Sequence, residues 1–288
     1  MSLAESIGAA TGPAFAVASR RAIGGGDINQ AEMLVGRDGR RFFVKLNQAD
    51  RLAMFEAEAD GLDEILAADA IRVPRPVCSG VDGGRAFLVL EYLELDGHGD
   101  AADLGRRLAA LHRHTQARFG WRRDNTIGAT RQPNGWLDDW IAFLRDRRLG
   151  YQLDLARDNG APGRLIEQGE RLLAGLDAFF PGHAPVASLL HGDLWGGNHG
   201  YADGEPVLYD PAVYYGDREA DLAMTELFGG FPAAFHAAYR EAWPLDAGHE
   251  IRKTLYNLYH VLNHYNLFGG GYAGQAERMI ARLLAECR

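Results

Sequence analysis

Asp193 and Asn198, separated by four residues inside His191-Gly-Asp-Leu-Trp-Gly-Gly-Asn198, are followed at Asp210 by a second acid that closes the apolar run Pro206-Val-Leu-Tyr209. An acid, an amide and a further acid in this order and spacing match a phosphoryl-transfer site. Asp193 is placed to accept the proton of an attacking hydroxyl. Asn198 and Asp210 offer the oxygen donors that a hard cation such as Mg²⁺ requires when it bridges the phosphates of ATP. The run ending at Tyr209 reads as a short strand that carries Asp210 into the site, and Pro211 stops it, so the acid sits at a rigid strand end.

The rest of the chain must then supply a nucleotide-binding part. With 288 residues the chain is long enough for two lobes. Its 47% hydrophobic and 24% charged content is that of a soluble globular protein. A net charge of −9 argues against nucleic acid as a partner, because phosphate backbones need a basic surface. No apolar run reaches the length of a membrane span, and the first residues lack a basic segment followed by an apolar one, so the chain is expected in the cytoplasm without a membrane partner. Cys78 and Cys287 lie far apart and form no ligand pattern, which argues against a disulfide scaffold or a zinc site. Arg145, Arg147 and Arg148 read as a solvated helix face.

Residues 22–95 read as strand, glycine turn, strand, helix and strand. Gly24, Gly25 and Gly26 separate two expected strands at 14–17 and 32–35, forming a hairpin tip able to approach phosphates closely. The string is neither G-x-G-x-x-G nor a Walker A motif, so a simple turn stays open as an alternative. Lys45 lies on the next strand, 41–46. It and Lys253 are the only lysines among 30 basic residues, so a lysine spent here points to a contact with the α/β-phosphates of ATP. The expected helix at 50–68 supplies Glu58, or alternatively Glu56, to hold that lysine. A buried strand at 86–93 leads into an expected hinge at 96–100, where backbone groups near Glu91 and Leu93 would read the adenine edge. These readings divide the chain into a nucleotide lobe, 1–95, and a catalytic and acceptor lobe, 96–288.

The downstream part is mainly helical. Leu104, Leu108 and Leu111 share one helix face, and further helices are expected at 137–149, 164–180, 232–242, 251–266 and 273–286. Asp217, Glu219 and Asp221 cluster at the entry of a helix, where Asp221 is suited to brace the catalytic-loop backbone.

With both parts read, the chain resembles the fructosamine kinase (ketosamine-3-kinase) family, which is similar to aminoglycoside phosphotransferases and choline kinases. The strings that carry the resemblance are GGGDIN (24–29), FFVKLN (42–47), LVLEYL (88–93), LAALHR (108–113), DNTIGATRQPNGW (124–136), HGDLWGGN (191–198) and DPAVYYGDREADLAMTELFGGF (210–231). The resemblance implies an α+β, protein-kinase-like two-lobe fold, with a small β-rich N-lobe carrying one main helix and a larger, mainly helical C-lobe. It implies ATP- and Mg²⁺-dependent phosphorylation of the sugar 3-hydroxyl of a ketosamine, free or protein-borne, which destabilises the adduct and releases its amine. Carried over, Asp193 is the base and Asn198 and Asp210 bind Mg²⁺. Lys45 and Glu58 position the phosphates, with Gly24 to Gly26 covering them. Trp195, Gln132, Asn134 and Asp217 belong to the acceptor side. Asp27 stands where some family members carry cysteine, so a thiol switch is not expected. Gly192 replaces the arginine common in protein kinases, which favours a small-molecule or adduct kinase. A kinase of aminoglycosides, choline-like alcohols or sugars is the alternative.

Overall fold

In the computed structural model, which describes residues 1–24 and 28–286, Ser2 caps helix α1 (Leu3–Thr11) through a capping box with Glu5. A five-stranded antiparallel sheet follows, in the order β1-β2-β3-β5-β4, built from β1 (Val17–Ile23), β2 (Gln30–Gly36), β3 (Arg41–Gln48), β4 (Pro76–Asp82) and β5 (Arg85–Glu91). Helix α2 (Leu52–Ala68) joins β3 to β4. Side chains alternate across a strand. Phe42 and Val44 of β3 therefore fall on one face, where they pack with Leu3, Ile7, Phe15, Phe87 and Val89, while Lys45 falls on the other. The first strand lies at Val17–Ile23 and not at 14–17. It runs along the sheet edge with most of its residues exposed, so no apolar alternation marks it, whereas Phe15 is buried ahead of it against Phe42.

Past residue 100 the elements are α3 (Ala101–His112), β6 (Thr115–Gln116), β7 (Asn125–Ile127), β8 (Thr130–Gln132), α4 (Trp140–Phe143), α5 (Gly150–Asp158), α6 (Gly163–Ala174) and β9 (Ala187–Leu190). The stretch expected as one helix at 137–149 is α4, capped by Asp139, followed by a π-helical turn at Leu144–Leu149 that runs into α5. Arg148 is not on a solvated face. It is buried, lies 4.0 Å from the centroid of the Tyr214 ring, and donates to the carbonyl of Pro133 and to Asn134 Oδ1. Its two terminal nitrogens find acceptors and its plane stacks on aromatic rings, which compensates for burial although the Nε–H has no partner.

The chain continues through the hairpin β10 (His199–Ala202) and β11 (Glu205–Leu208), then β12 (Tyr214–Gly216), α7 (Glu219–Met224), α8 (Ala233–Ala242), α9 (His249–Phe268) and α10 (Tyr272–Glu286). Strands β12, β9 and β6 form a second antiparallel sheet. Two compact units result: Met1–Asp100 with Asn198–Pro211, and Ala101–Gly197 with Ala212–Arg288. Two backbone bonds tie the β10–β11 hairpin into the first unit, from Leu208 N–H to the Arg72 carbonyl and from Asp96 N–H to the Tyr201 carbonyl. Mixed sheet and helix, with the antiparallel sheet in the first unit and helices dominating the second, is the α+β arrangement expected. No helix among the described residues is long and apolar enough to cross a membrane.

Candidate active site

The first unit gathers a lysine and its carboxylates. Residues 55, 58, 62 and 65 of α2 share one helix face at spacings of three and four, and Phe55, Leu62 and Ile65 are fully buried there. Glu58 therefore points inward while Glu56 is exposed. Lys45 Nζ lies 2.5 Å from Glu58 Oε1 and 2.8 Å from Asp210 Oδ1. Burial by itself would push the Lys45 ammonium down, but the two carboxylates outweigh it and hold the group well above its ordinary value. Lys45 is thus charged at any physiological pH, as a phosphate contact requires.

Asp210 follows β11 with φ 58°, a left-handed backbone that few side chains adopt. Its carboxylate stays half-exposed beside Lys45. Across the hairpin, His199 pairs with Leu208 and the Tyr209 N–H donates to the Asn198 carbonyl at 3.1 Å. Asn198 and Asp210 therefore flank the open end of one hairpin. An amide oxygen and a half-exposed carboxylate form the donor set that a hard divalent cation accepts.

Gly24 is exposed at the end of β1, and Gly25, Gly26 and Asp27 lie outside the described residues. Asn47, two residues beyond Lys45 on the same strand face, donates to the Ile28 carbonyl at 3.2 Å and to Asn29 Oδ1 at 2.7 Å, so it pins the two residues ahead of β2. No role for it is visible in the strand pattern, although the repeated asparagines of GGGDIN and FFVKLN carry that signal. The Glu91 N–H is taken by the Arg75 carbonyl, and Leu93 lies half-buried just past the end of β5.

In the second unit the loop around Asp193 is held by its backbone. Asp221, on α7, is almost fully buried and accepts the N–H groups of His191 at 2.7 Å and Gly192 at 2.8 Å. Burial would raise its carboxyl, but the His112 hydrogen bond and the Gly192 N–H hold it below its ordinary value, so it serves as a fixed anion. Gly192 has φ 81°, and a Cβ there would sit 2.1 Å from the Ala212 carbonyl oxygen, so only glycine lets the loop turn this closely. Asp193 is half-buried, with its N–H directed at His191 Nδ1, and Leu194 anchors the loop in the core. Trp195 is 39% exposed, and its ring lies over Gly197, where a Cβ would stand 2.2 Å from the indole.

Gln132, Asn134 and Asp217, expected on the acceptor side, are all buried in the second unit. Gln132 is fully buried, donating to Asn125 Oδ1 and the Ala212 carbonyl and accepting from Tyr259. Asn134, equally buried, donates to Asn125 Oδ1 and accepts from Arg148. Asp217 is 2% exposed and accepts from Tyr256 at 2.6 Å and His183 at 2.8 Å. In this structure all three bond to other protein groups.

His183 touches a carboxylate with each ring nitrogen, Asp217 at Nε2 and Asp246 at Nδ1, both at 2.8 Å. Glu219 and Arg252 also face it. His183, Glu219 and Asp246 come within 4.8 Å of one another, an arrangement that could hold a metal ion. Arg252 already supplies the positive charge there, donating twice to Glu219 and once to Asp246. Burial lowers the His183 value, but the carboxylates prevail and raise it above 6.5. Both ring contacts are satisfied only when the imidazole carries two protons. The stabilisation is therefore complete below the unfolded-state value and is lost as pH rises through the folded one. Chemical denaturation at about pH 6 and about pH 9 should show wild-type stability falling more steeply than that of His183→Gln. Parallel pH dependences would remove His183 from this role.

The family model for fructosamine kinase matches residues 1–286. A probable ketoamine kinase of Synechocystis sp. is 49% identical, over 98% of this chain and 96% of its own length. The chloroplastic protein-ribulosamine 3-kinase of Arabidopsis thaliana is 43% identical, over 93% of this chain and 83% of its own. A crystal structure from Haemophilus somnus, provisionally described as a fructosamine-3-kinase, superposes with a TM-score of 0.90 at 29% identity, covering 98% of this chain and 97% of its own. A macrolide 2'-phosphotransferase shares the fold alone, with a TM-score of 0.59 at 16% identity over 98% of this chain and 94% of its own.

Proposed function

The chain belongs to the fructosamine kinase family, and on that premise we propose that it transfers the γ-phosphoryl group of ATP to the sugar 3-hydroxyl of a ketosamine. It is a phosphotransferase with an alcohol acceptor. The observation that carries the proposal is the buried Lys45 ammonium held between Glu58 and Asp210.

Each residue has a role in this reading. Lys45, oriented by Glu58, binds the α/β-phosphates, and Gly24 to Gly26 cover them. Backbone groups around Glu91 and Leu93 meet the adenine edge. Asn198 and Asp210 hold Mg²⁺, which when bound neutralises the phosphate oxygens. Asp193 accepts the proton of the attacking hydroxyl, and the Asp221 brace fixes where that carboxylate stands. Trp195 offers its exposed ring to the sugar-amine. Gln132, Asn134 and Asp217 shape the acceptor side from within. The first unit takes the nucleotide and the second the acceptor, in the cytoplasm where ATP is supplied. Phosphate at carbon 3 makes the adduct unstable, so the amine is released and a glycated molecule is repaired.

Purified protein with ATP, Mg²⁺ and a panel of fructose- and ribose-derived amine adducts should form ADP. A response confined to aminoglycosides would replace the ketosamine reading with that of an antibiotic-type kinase.

A further inference from the structure

We infer that Arg218, Tyr239 and His112 form a positioning chain whose hydrogen-bond direction sets the catalytic loop, an inference that rests on the assignment of Asp193 as base. The Arg218 guanidinium donates to the Tyr239 hydroxyl at 3.2 Å and to the carbonyls of Trp243 and Pro244, with its plane 4.2 Å from the Trp243 ring centroid. A guanidinium cannot accept, so the Tyr239 oxygen accepts from it and the hydroxyl proton must go elsewhere. His112 Nδ1 lies 2.7 Å from that oxygen. Receiving the proton there fixes His112 as the tautomer protonated at Nε2, and Nε2 is 3.1 Å from Asp221 Oδ2. Asp221 passes the constraint on to the His191 and Gly192 N–H groups, next to Asp193.

Burial makes the direction matter. His112 and Tyr239 are 0% exposed and Asp221 is 1% exposed, so water has no access to replace a lost donor. Without the Tyr239 hydroxyl, the Asp221 carboxylate still keeps the His112 proton on Nε2, and Nδ1 is left as a buried acceptor with no donor. The ring then loses one of the two contacts that aim its Nε2–H at Asp221. Helix α8, which carries Tyr239, and the turn after it thereby acquire a part in catalysis although neither supplies a reacting group. Arg218, Tyr239 and His112 are positioning residues in this scheme.

The test is Tyr239→Phe, alone and in a His112→Gln background, read by side-chain ¹⁵N NMR of His112 and by steady-state kinetics. In the wild type, His112 should be protonated at Nε2. In Tyr239→Phe the Nε2 tautomer should persist while the Nδ1 resonance moves to that of an acceptor without a donor, and kcat should fall about tenfold, the rate equivalent of one buried hydrogen bond, with KM for ATP unchanged. Glutamine at 112 presents an amide N–H to Asp221 but no ring Nδ1 for the Tyr239 hydroxyl to orient, so Tyr239→Phe should cost nothing further there. A wild-type His112 protonated at Nδ1, an unchanged Nδ1 resonance in Tyr239→Phe, or the same loss of kcat in both backgrounds would each overturn the inference. The tautomer is read without substrate. Absence of ketosamine phosphorylation by the wild type would therefore count against the functional reading and leave the chain standing.

Discussion

Asp193→Ala lowers turnover on the order of 10²–10⁴-fold, the usual contribution of a positioned general base, and leaves ATP affinity intact. The loop has support besides the Asp193 side chain. Asp221 holds the backbone of His191 and Gly192, and Leu194 is fully buried, so truncation at 193 removes a carboxylate without releasing the loop. The loss should therefore lie in kcat, with the nucleotide Kd from calorimetry close to that of the wild type. Unchanged turnover would remove Asp193 from the chemistry. A collapse in ATP affinity would instead mean that the residue supports the nucleotide.

Asp210→Ala abolishes Mg²⁺-dependent nucleotide binding. Asp210 is the half-exposed carboxylate of the Lys45 cluster, and it shares its hairpin end with Asn198. Its loss removes one of the two carboxylates beside Lys45 and, in the proposed role, the anionic ligand of the cation, so phosphate, metal and lysine would no longer balance in charge. Calorimetric titration of nucleotide with and without Mg²⁺ should show the metal dependence vanish. Undiminished Mg²⁺-dependent affinity would place the metal elsewhere.

The parts of this protein that are legible in its sequence are those where a local period meets burial. The alternation of β3 sends Phe42 and Val44 to the core and Lys45 to the opposite face, and Leu104, Leu108 and Leu111 mark the buried face of α3. The choice between Glu56 and Glu58 is also decided by period. Counting from Phe55 to Leu62 and Ile65 puts Glu58 on the buried stripe and leaves Glu56 off it.

Edges and buried polar groups are harder to read. Strand β1 is stabilised by its pairing with β2, and its exposed Ser-Arg-Arg stretch carries no apolar signature. Arg148 looks like surface charge until tertiary structure brings Phe143, Tyr214 and the Pro133 carbonyl around it. Gln132 and Asn134 stand out as motif residues, yet their partners Tyr259 and Arg148 come from far along the chain or from the next helix, which no local window reveals. Gly192 is the reverse case. Its need for a left-handed backbone and for the space beside Ala212 explains the residue between His191 and Asp193 more directly than comparison with protein kinases does.

The most direct test of the account is the position of the transferred phosphate. A ¹H–³¹P correlation spectrum of the product made from ATP, Mg²⁺ and a fructose-derived amine adduct should show phosphorus coupled to the proton on carbon 3 of the sugar. Phosphorus coupled at any other carbon, or no phosphomonoester on the adduct at all, would contradict it.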